Sequence, residues 1–268
     1  MPNGKSALIL KVMPTWNADQ YLRFADERTR PCRDLVAAIA LEKPRRIVDL
    51  GCGPGNSTAV LAARWPEAEI EGLDSSEEMI AAARKAAPEG SWTVGDIAAW
   101  KAAEPVDLVF SNAALHWVPD HAGLYPRLFA QVAAGGALAA QVPINLDAPA
   151  HRAMRELAGS ERWRSYFPQR VREWHSFPSG VYYDLLAKEA ARIDFWETEY
   201  LHVLAGTEAI VDWYKGTGLR PFLDKLPGEA ERARFLTDYG EALRPLYPAR
   251  ADGRVIFPFR RLFLIAYR

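Results

Sequence analysis

The chain has 268 residues, 49% of them hydrophobic, with 33 basic and 34 acidic residues for a formal net charge of −1. That length suits one large α/β domain or a core domain with a smaller insertion, and the balanced charge argues against nucleic-acid binding through bulk electrostatics. Two cysteines, Cys32 and Cys52, are too few for a disulfide scaffold or a Cys-rich zinc site, so a reducing, cytoplasmic setting is expected with no metal.

The apolar patch from Ala7 to Met13, interrupted by Lys11, is too short for a signal peptide or a membrane span. Arg46 to Leu50 is a short apolar run ending in glycines and reads as a buried strand. Asn56 to Trp65 has apolar spacing of a helix, closed by Pro66. Glu69 to Leu73 is the next strand, followed by Ser76 as an N-cap with Glu77 and Glu78 in the first turn.

Ser91 to Val94 and Val106 to Ser111 read as the third and fourth strands. A helix covers about His121 to Val132, and Gly136 to Val142 is a fifth strand. This alternation predicts a parallel sheet with helices on both faces. The rhythm then breaks. Pro149 to Ala191 reads as helical pieces, Asp194 to Leu204 as a long strand, Ala209 to Leu246 as helix broken by Gly and Pro, and Val255 to Tyr267 as a last strand. Two late strands joined by a helical excursion suggest an antiparallel hairpin at the sheet edge, with the excursions forming a lid.

The loop Asp49-Leu-Gly51-Cys-Gly53-Pro-Gly55-Asn56 follows a strand and opens a helix. Glycines there allow a ligand to approach the backbone, and the helix start offers N–H groups to an anion. A dinucleotide fingerprint needs Gly or Ala where this chain has Asn56. S-adenosylmethionine has no pyrophosphate; it carries one carboxylate beside an ammonium and a sulfonium, which suits an acidic strand end next to a glycine loop. Asp74, ending the second strand, is placed to accept from ribose hydroxyls. Asp96 and Ile97, after the third, are placed to meet adenine.

With Asp49-Leu-Gly-Cys-Gly-Pro-Gly-Asn-Ser-Thr58, Asp74 and Gly95-Asp96-Ile97, the chain resembles the class I S-adenosylmethionine-dependent methyltransferases. Further segments resemble the trans-aconitate 2-methyltransferase family: Trp16-Asn17 to Tyr21, Glu27-Arg28-Thr-Arg30-Pro31, Leu115-His-Trp117-Val-Pro-Asp120, Asp212-Trp213, Thr217-Gly-Leu-Arg220-Pro221 and Arg261-Leu-Phe-Leu-Ile-Ala. The resemblance implies a Rossmann-like, doubly wound α/β fold. Its seven-stranded sheet would be mostly parallel with an antiparallel edge strand, and helical lid insertions would cover it. The expected division is residues 1–143 as N-terminal helix and cofactor core, 144–193 as a helical lid, and 194–268 as the last two strands with a lid insertion at about 207–250.

The resemblance also implies methyl transfer to a carboxylate of trans-aconitate, giving a methyl ester and S-adenosylhomocysteine. Trp16, Tyr21 and Arg28 would fold over the cofactor, and Asn112 and Ala113 would lie near its sulfonium. The cofactor set is then these residues with Asp49, Gly51, Gly53, Asn56, Asp74, Ser75, Met79, Asp96 and Ile97. The acceptor would be a small carboxylate, with neither nucleic acid nor membrane as partner.

Candidates to grip that acceptor are His116, Trp117, Tyr182, Arg220 and Arg260, with Lys215 a further basic candidate. Arg suits bidentate carboxylate binding. Neighbours Tyr182 and Tyr183 cannot share a helix face, nor Arg260 and Arg261 a strand face, so one of each pair can reach a pocket. No dedicated general base is required, because a carboxylate of pKa near ~4 is already ionised at neutral pH. A methyltransferase for another small acid, a phenol or an amine, and a non-catalytic S-adenosylmethionine-binding regulator, would share the same loop.

Overall fold

A computed structural model describes residues 25–169, 171 and 174–268. Trp16 and Tyr21 lie outside the described residues. The strands are Arg46–Leu50 (β1), Glu69–Asp74 (β2), Ser91–Val94 (β3), Val106–Asn112 (β4), Val132–Pro143 (β5), Arg192–Leu204 (β6) and Val255–Tyr267 (β7). They form one seven-stranded sheet in the order β3-β2-β1-β4-β5-β7-β6. β1 to β5 pair in parallel, and β7 runs antiparallel to both β5 and β6. The antiparallel hairpin expected at the edge is therefore present. Within it β7 is the reversed strand and β6 the outermost one, with Arg192 opposite Tyr267 at one end and Leu204 opposite Val255 at the other.

The helices are Ala25–Ala38 (α1), Asn56–Arg64 (α2), Glu77–Ala86 (α3), His121–Phe129 (α4), Pro149–Gly159 (α5), Ser179–Leu186 (α6), Thr207–Lys215 (α7), Arg220–Leu223 (α8) and Glu229–Leu243 (α9). Strand residues alternate between two buried faces, as a sheet covered on both sides requires. Ile47, Leu108, Phe110, Phe263 and Ile265 meet Leu35 of α1, Ile39 just after it and Leu61 of α2. Val48, Leu50, Val109, Leu138, Leu262 and Leu264 meet Leu124, Tyr125 and Leu128 of α4 and Leu186 of α6.

Around the entry to β5, element bounds differ from the sequence reading by several residues. β5 starts at Val132 rather than Gly136, and α4 stops at Phe129. Val132 pairs with Val106, and the register then shifts before Leu108 pairs with Ala137. Gly135, at φ +77°, lies within that irregular stretch.

β6 and β7 are each 13 residues long, against 5 in β1. Their far ends, Leu204, Val255, Phe257 and Phe259, join a third cluster with Met154 of α5, Trp213 of α7, Phe222 of α8 and Phe235 of α9. Burying a ring such as Phe257 contributes roughly 2–3 kcal/mol, so the hairpin end anchors the helical layer above the sheet. None of the described helices is long and apolar enough to cross a membrane.

Candidate active site

The glycine loop crosses from β1 to α2. Gly51 and Cys52 both donate to the Leu73 carbonyl, at 2.7 and 3.1 Å, which ties the loop to the end of β2. Gly51 sits at φ +79°, and a Cβ there would stand 2.1 Å from the Ala114 Cβ. Only glycine fits on both counts. Gly55 takes the N-cap position of α2 and no side chain caps it, so the first-turn N–H groups remain available to an anion.

Two acids organise this loop. Asp49 is fully buried, and its Oδ2 accepts from Ser57 Oγ at 2.6 Å and Thr58 Oγ1 at 2.7 Å. Its Oδ1 has no hydrogen-bond partner. Burial raises the Asp49 carboxyl to about 6, against the two hydroxyl bonds that lower it. Asp74 accepts from the Gly53 N–H at 3.0 Å through Oδ2 and from the Ser76 N–H at 2.9 Å through Oδ1. Burial raises its carboxyl too, opposed by those backbone donors.

A pocket opens beside the loop. Arg28, Thr29 and Cys32 of α1 face Gly51, Asn56 and Ser57, with Asn112 at the end of β4 closing it. Arg28 is buried. It donates to the Trp213 carbonyl at 3.2 Å and lies 5.0 Å from the centre of the Trp213 ring, joining the start of α1 to α7. Asn112 Oδ1 is a second buried acceptor without a partner. Beyond it, Ala113 holds φ 55°, the one left-handed non-glycine residue among those described, and donates to the Gln141 carbonyl at 2.9 Å. A strained backbone of this kind persists where surrounding structure enforces it.

The remaining cofactor candidates are not among the residues that line this pocket. Ser75 is half-buried, Met79 is buried, and the Met79 N–H donates to Ser76 Oγ at 3.2 Å. Asp96 is exposed and accepts from the Ala98 N–H, while Ile97 is buried. Gly53 lines the loop at φ +55°. The donor set fits a molecule that carries a carboxylate, an ammonium and hydroxyls together. An uncapped helix start suits the anion, Asp49 Oδ1 and Asn112 Oδ1 suit a cationic donor, and Asp74 suits hydroxyls. Among the described residues, no group of three His, Cys, Asp or Glu is placed to hold a metal ion.

The acceptor candidates separate. His116 is buried against Trp117 and Trp174, with ring centres 4.8 and 5.5 Å away, and its Nδ1 has no partner. Burial, reinforced by the charge of Arg261, holds its imidazole well below the ordinary histidine range. Trp117 is half-buried. Lys215 is exposed, and Arg220 is half-buried within electrostatic reach of Glu78 on α3 and Asp224.

Two candidates are placed differently from the others. Tyr182 is fully buried in the core beside α4, its hydroxyl 3.0 Å from His121 Nδ1 and accepting from the Phe177 N–H. It packs rather than lines an opening, and Tyr183 is 54% exposed. Arg260 is exposed and ion-paired with Glu197 on β6. Its neighbour Arg261 is the inward residue, 4% exposed and donating to Gln141 Oε1 at 2.9 Å. Strand alternation alone could not choose between them.

Sequence reasoning passed over Ser57, Thr58 and Gln141. The signal for Gln141 was available: it is the one side chain able to hydrogen-bond in the run Gly136 to Val142.

A family model described as a methyltransferase domain matches residues 47–136. The fold is similar to that of YcgJ protein from Bacillus subtilis, with TM-score 0.58 and 14% identity over 89% of this chain and 98% of that one. A Haemonchus contortus phosphoethanolamine N-methyltransferase 2 aligns with TM-score 0.54 at 16% identity, covering 89% of this chain and 52% of that one. Trans-aconitate 2-methyltransferase of Azoarcus sp. (strain BH72) is 48% identical over 96% of this chain and all of that protein. The protein of the same name from Methylobacterium nodulans is 50% identical over 96% of this chain and 99% of its own length. The chain belongs to the trans-aconitate 2-methyltransferase family.

Proposed function

We propose that this protein methylates a carboxylate of trans-aconitate with S-adenosylmethionine, giving a methyl ester and S-adenosylhomocysteine. The observation that carries the cofactor is the pair of buried, unpartnered acceptors, Asp49 Oδ1 and Asn112 Oδ1, beside the uncapped start of α2. The two oxygens would accept from the ammonium and the helix start would donate to the carboxylate, both borne on one carbon. Full-length relatives of that name support the acceptor.

When bound, S-adenosylmethionine supplies an electrophilic methyl group. Asp74 would accept from its ribose, with Ser75 and Met79 alongside, and Asp96 and Ile97 would meet its adenine. Arg28 would close the amino-acid end, together with Trp16 and Tyr21. The acceptor carboxylate is ionised at neutral pH and needs no proton removed. The protein's contribution is then orientation and exclusion of water from a weak nucleophile. His116, Trp117 and Trp174 form an aromatic wall suited to both tasks. Residues 144–193 and about 207–250 act as the lid over a core of residues 1–143, and the protein works in the cytoplasm, where its two free, buried cysteines stay reduced.

The test is methyl transfer from labelled donor to trans-aconitate, cis-aconitate, isocitrate, citrate and a set of phenols. A methyl ester of trans-aconitate is the expected product. Turnover of phenols alone, or of nothing in the panel, would overturn the reading.

A further inference from the structure

We propose that Arg261, Gln141 and His116 form the subsite that grips a non-reacting carboxylate of the acceptor, one strand away from the methyl-donor pocket. The inference rests on the methyl-transfer reading above and specifies which groups select the acceptor.

The placement follows from register. Asn112, which lines the donor pocket, pairs with Gln141 on β5. In-register residues on neighbouring strands share a face and stand about 4.8 Å apart. Gln141 pairs in turn with Phe263 on β7, and Arg261, two residues from Phe263, lies on that same face. Asn112, Gln141 and Arg261 thus form a polar row that runs from the ends of β4 and β5 to the middle of β7.

The unsatisfied groups along the row point to an anionic ligand. A guanidinium only donates, so Gln141 must turn its amide oxygen toward Arg261, and it does so at 2.9 Å. That commits the amide's acceptor and leaves its donor, Nε2, buried without a partner. His116 Nδ1 is buried without a partner as well. Buried polar groups are almost always satisfied, and one left without a partner is costly. A carboxylate brings two oxygens with several lone pairs. It can accept from the amide, the imidazole and the guanidinium at once. The apolar wall of Phe259, 4.7 Å beneath the guanidinium, keeps that charge from water and strengthens the pairing. Gripping a remote carboxylate leaves the attacking one free of strong donors and therefore nucleophilic.

The test is Gln141→Glu, which keeps the side chain's shape and its bond to Arg261 but replaces the donor with a second anionic oxygen. Binding of trans-aconitate to the S-adenosylhomocysteine complex is measured by calorimetry. Turnover is measured with trans-aconitate and with mesaconate and trans-glutaconate, each of which lacks one carboxylate. Gln141→Glu is expected to weaken trans-aconitate binding and raise its KM about 10- to 100-fold, as loss of hydrogen bonds to a charged group should. Affinity for S-adenosylhomocysteine should stay within about twofold, and the preference for trans-aconitate over one dicarboxylate should collapse. Unchanged trans-aconitate affinity and KM in the variant would overturn the subsite while leaving the reaction in place. Wild-type protein that binds trans-aconitate but transfers no methyl group would overturn the reaction, and loss of that binding in Gln141→Glu would still support the subsite. Wild-type protein that binds no trans-aconitate would overturn both. Should Gln141→Glu lose S-adenosylhomocysteine binding or fail to fold, His116→Gln decides by the same two outcomes.

Discussion

The carboxylate of Asp74 accepts from the N–H of Gly53 with one oxygen and from the N–H of Ser76 with the other, at 3.0 and 2.9 Å. One side chain therefore holds the glycine loop and the start of α3 in a fixed relation. Asp74→Ala removes both bonds and, on the proposed reading, the acceptor for a ribose. It should weaken S-adenosylhomocysteine binding on the order of 100-fold, with far-UV circular dichroism unchanged. Calorimetry giving wild-type affinity would remove Asp74 from the cofactor site.

Asp49 gives a pH signature. Its carboxyl is raised from 3.8 to about 6 by burial. The folded state therefore holds this proton more tightly than the unfolded state. Stability from this group is complete below pH about 4 and is lost as pH rises through about 6. Above that the ionised group costs about 3 kcal/mol at most. Asp49→Asn should raise the melting temperature of the ligand-free protein at pH 7.5 more than at pH 4.5. It should also weaken S-adenosylmethionine binding, because an ammonium needs the ionised form. Wild-type affinity should fall below pH 6. A variant melting temperature with no pH-dependent gain would refute the assignment.

Ala113 stores backbone strain at φ 55°. Ala113→Gly relieves it and should stabilise the fold by up to about 1 kcal/mol with cofactor affinity retained. Ala113→Val should do the reverse, since a β-branched residue resists that conformation. Denaturant titration of both variants reads the difference, and equal midpoints would contradict it.

Arg260 and Arg261 should behave oppositely despite being neighbours. Arg260 forms an exposed pair with Glu197, and such pairs contribute about 0–1 kcal/mol. Arg260→Ala should therefore leave KM for the acceptor unchanged. A tenfold rise would place Arg260 at the pocket after all.

Tyr182→Phe should cost about 1–2 kcal/mol of stability, because His121 Nδ1 and the Phe177 N–H lose their shared partner. Its kinetic constants should stay at wild-type values. A selective rise in KM would return Tyr182 to the substrate pocket.

Much of the sheet was legible in the sequence because its strands are apolar runs cut off by Gly, Pro or charge. Ser91–Val94 and Val255–Tyr267 lie where their composition puts them. The glycine loop was legible for the same reason, since left-handed backbone demands particular residues. The start of β5 was not, because the irregular pairing of Val132 with Val106 has no local signature. The choice between Arg260 and Arg261, or between Tyr182 and Tyr183, depends on which face the neighbouring elements cover. That is a property of the assembled layers and not of the local chain.

The position of β7 between β5 and β6 also has a consequence during synthesis. Its two neighbours are both made earlier, and in the finished sheet they do not pair with each other but each with Val255–Tyr267. Until β7 is made the apolar run Ala137 to Val142 stands as an open strand edge on the nascent chain, free to pair with any extended segment it meets. Arg261 reaches Gln141 in the step that closes this edge, so the bond that orients the Gln141 amide forms only once the edge is covered.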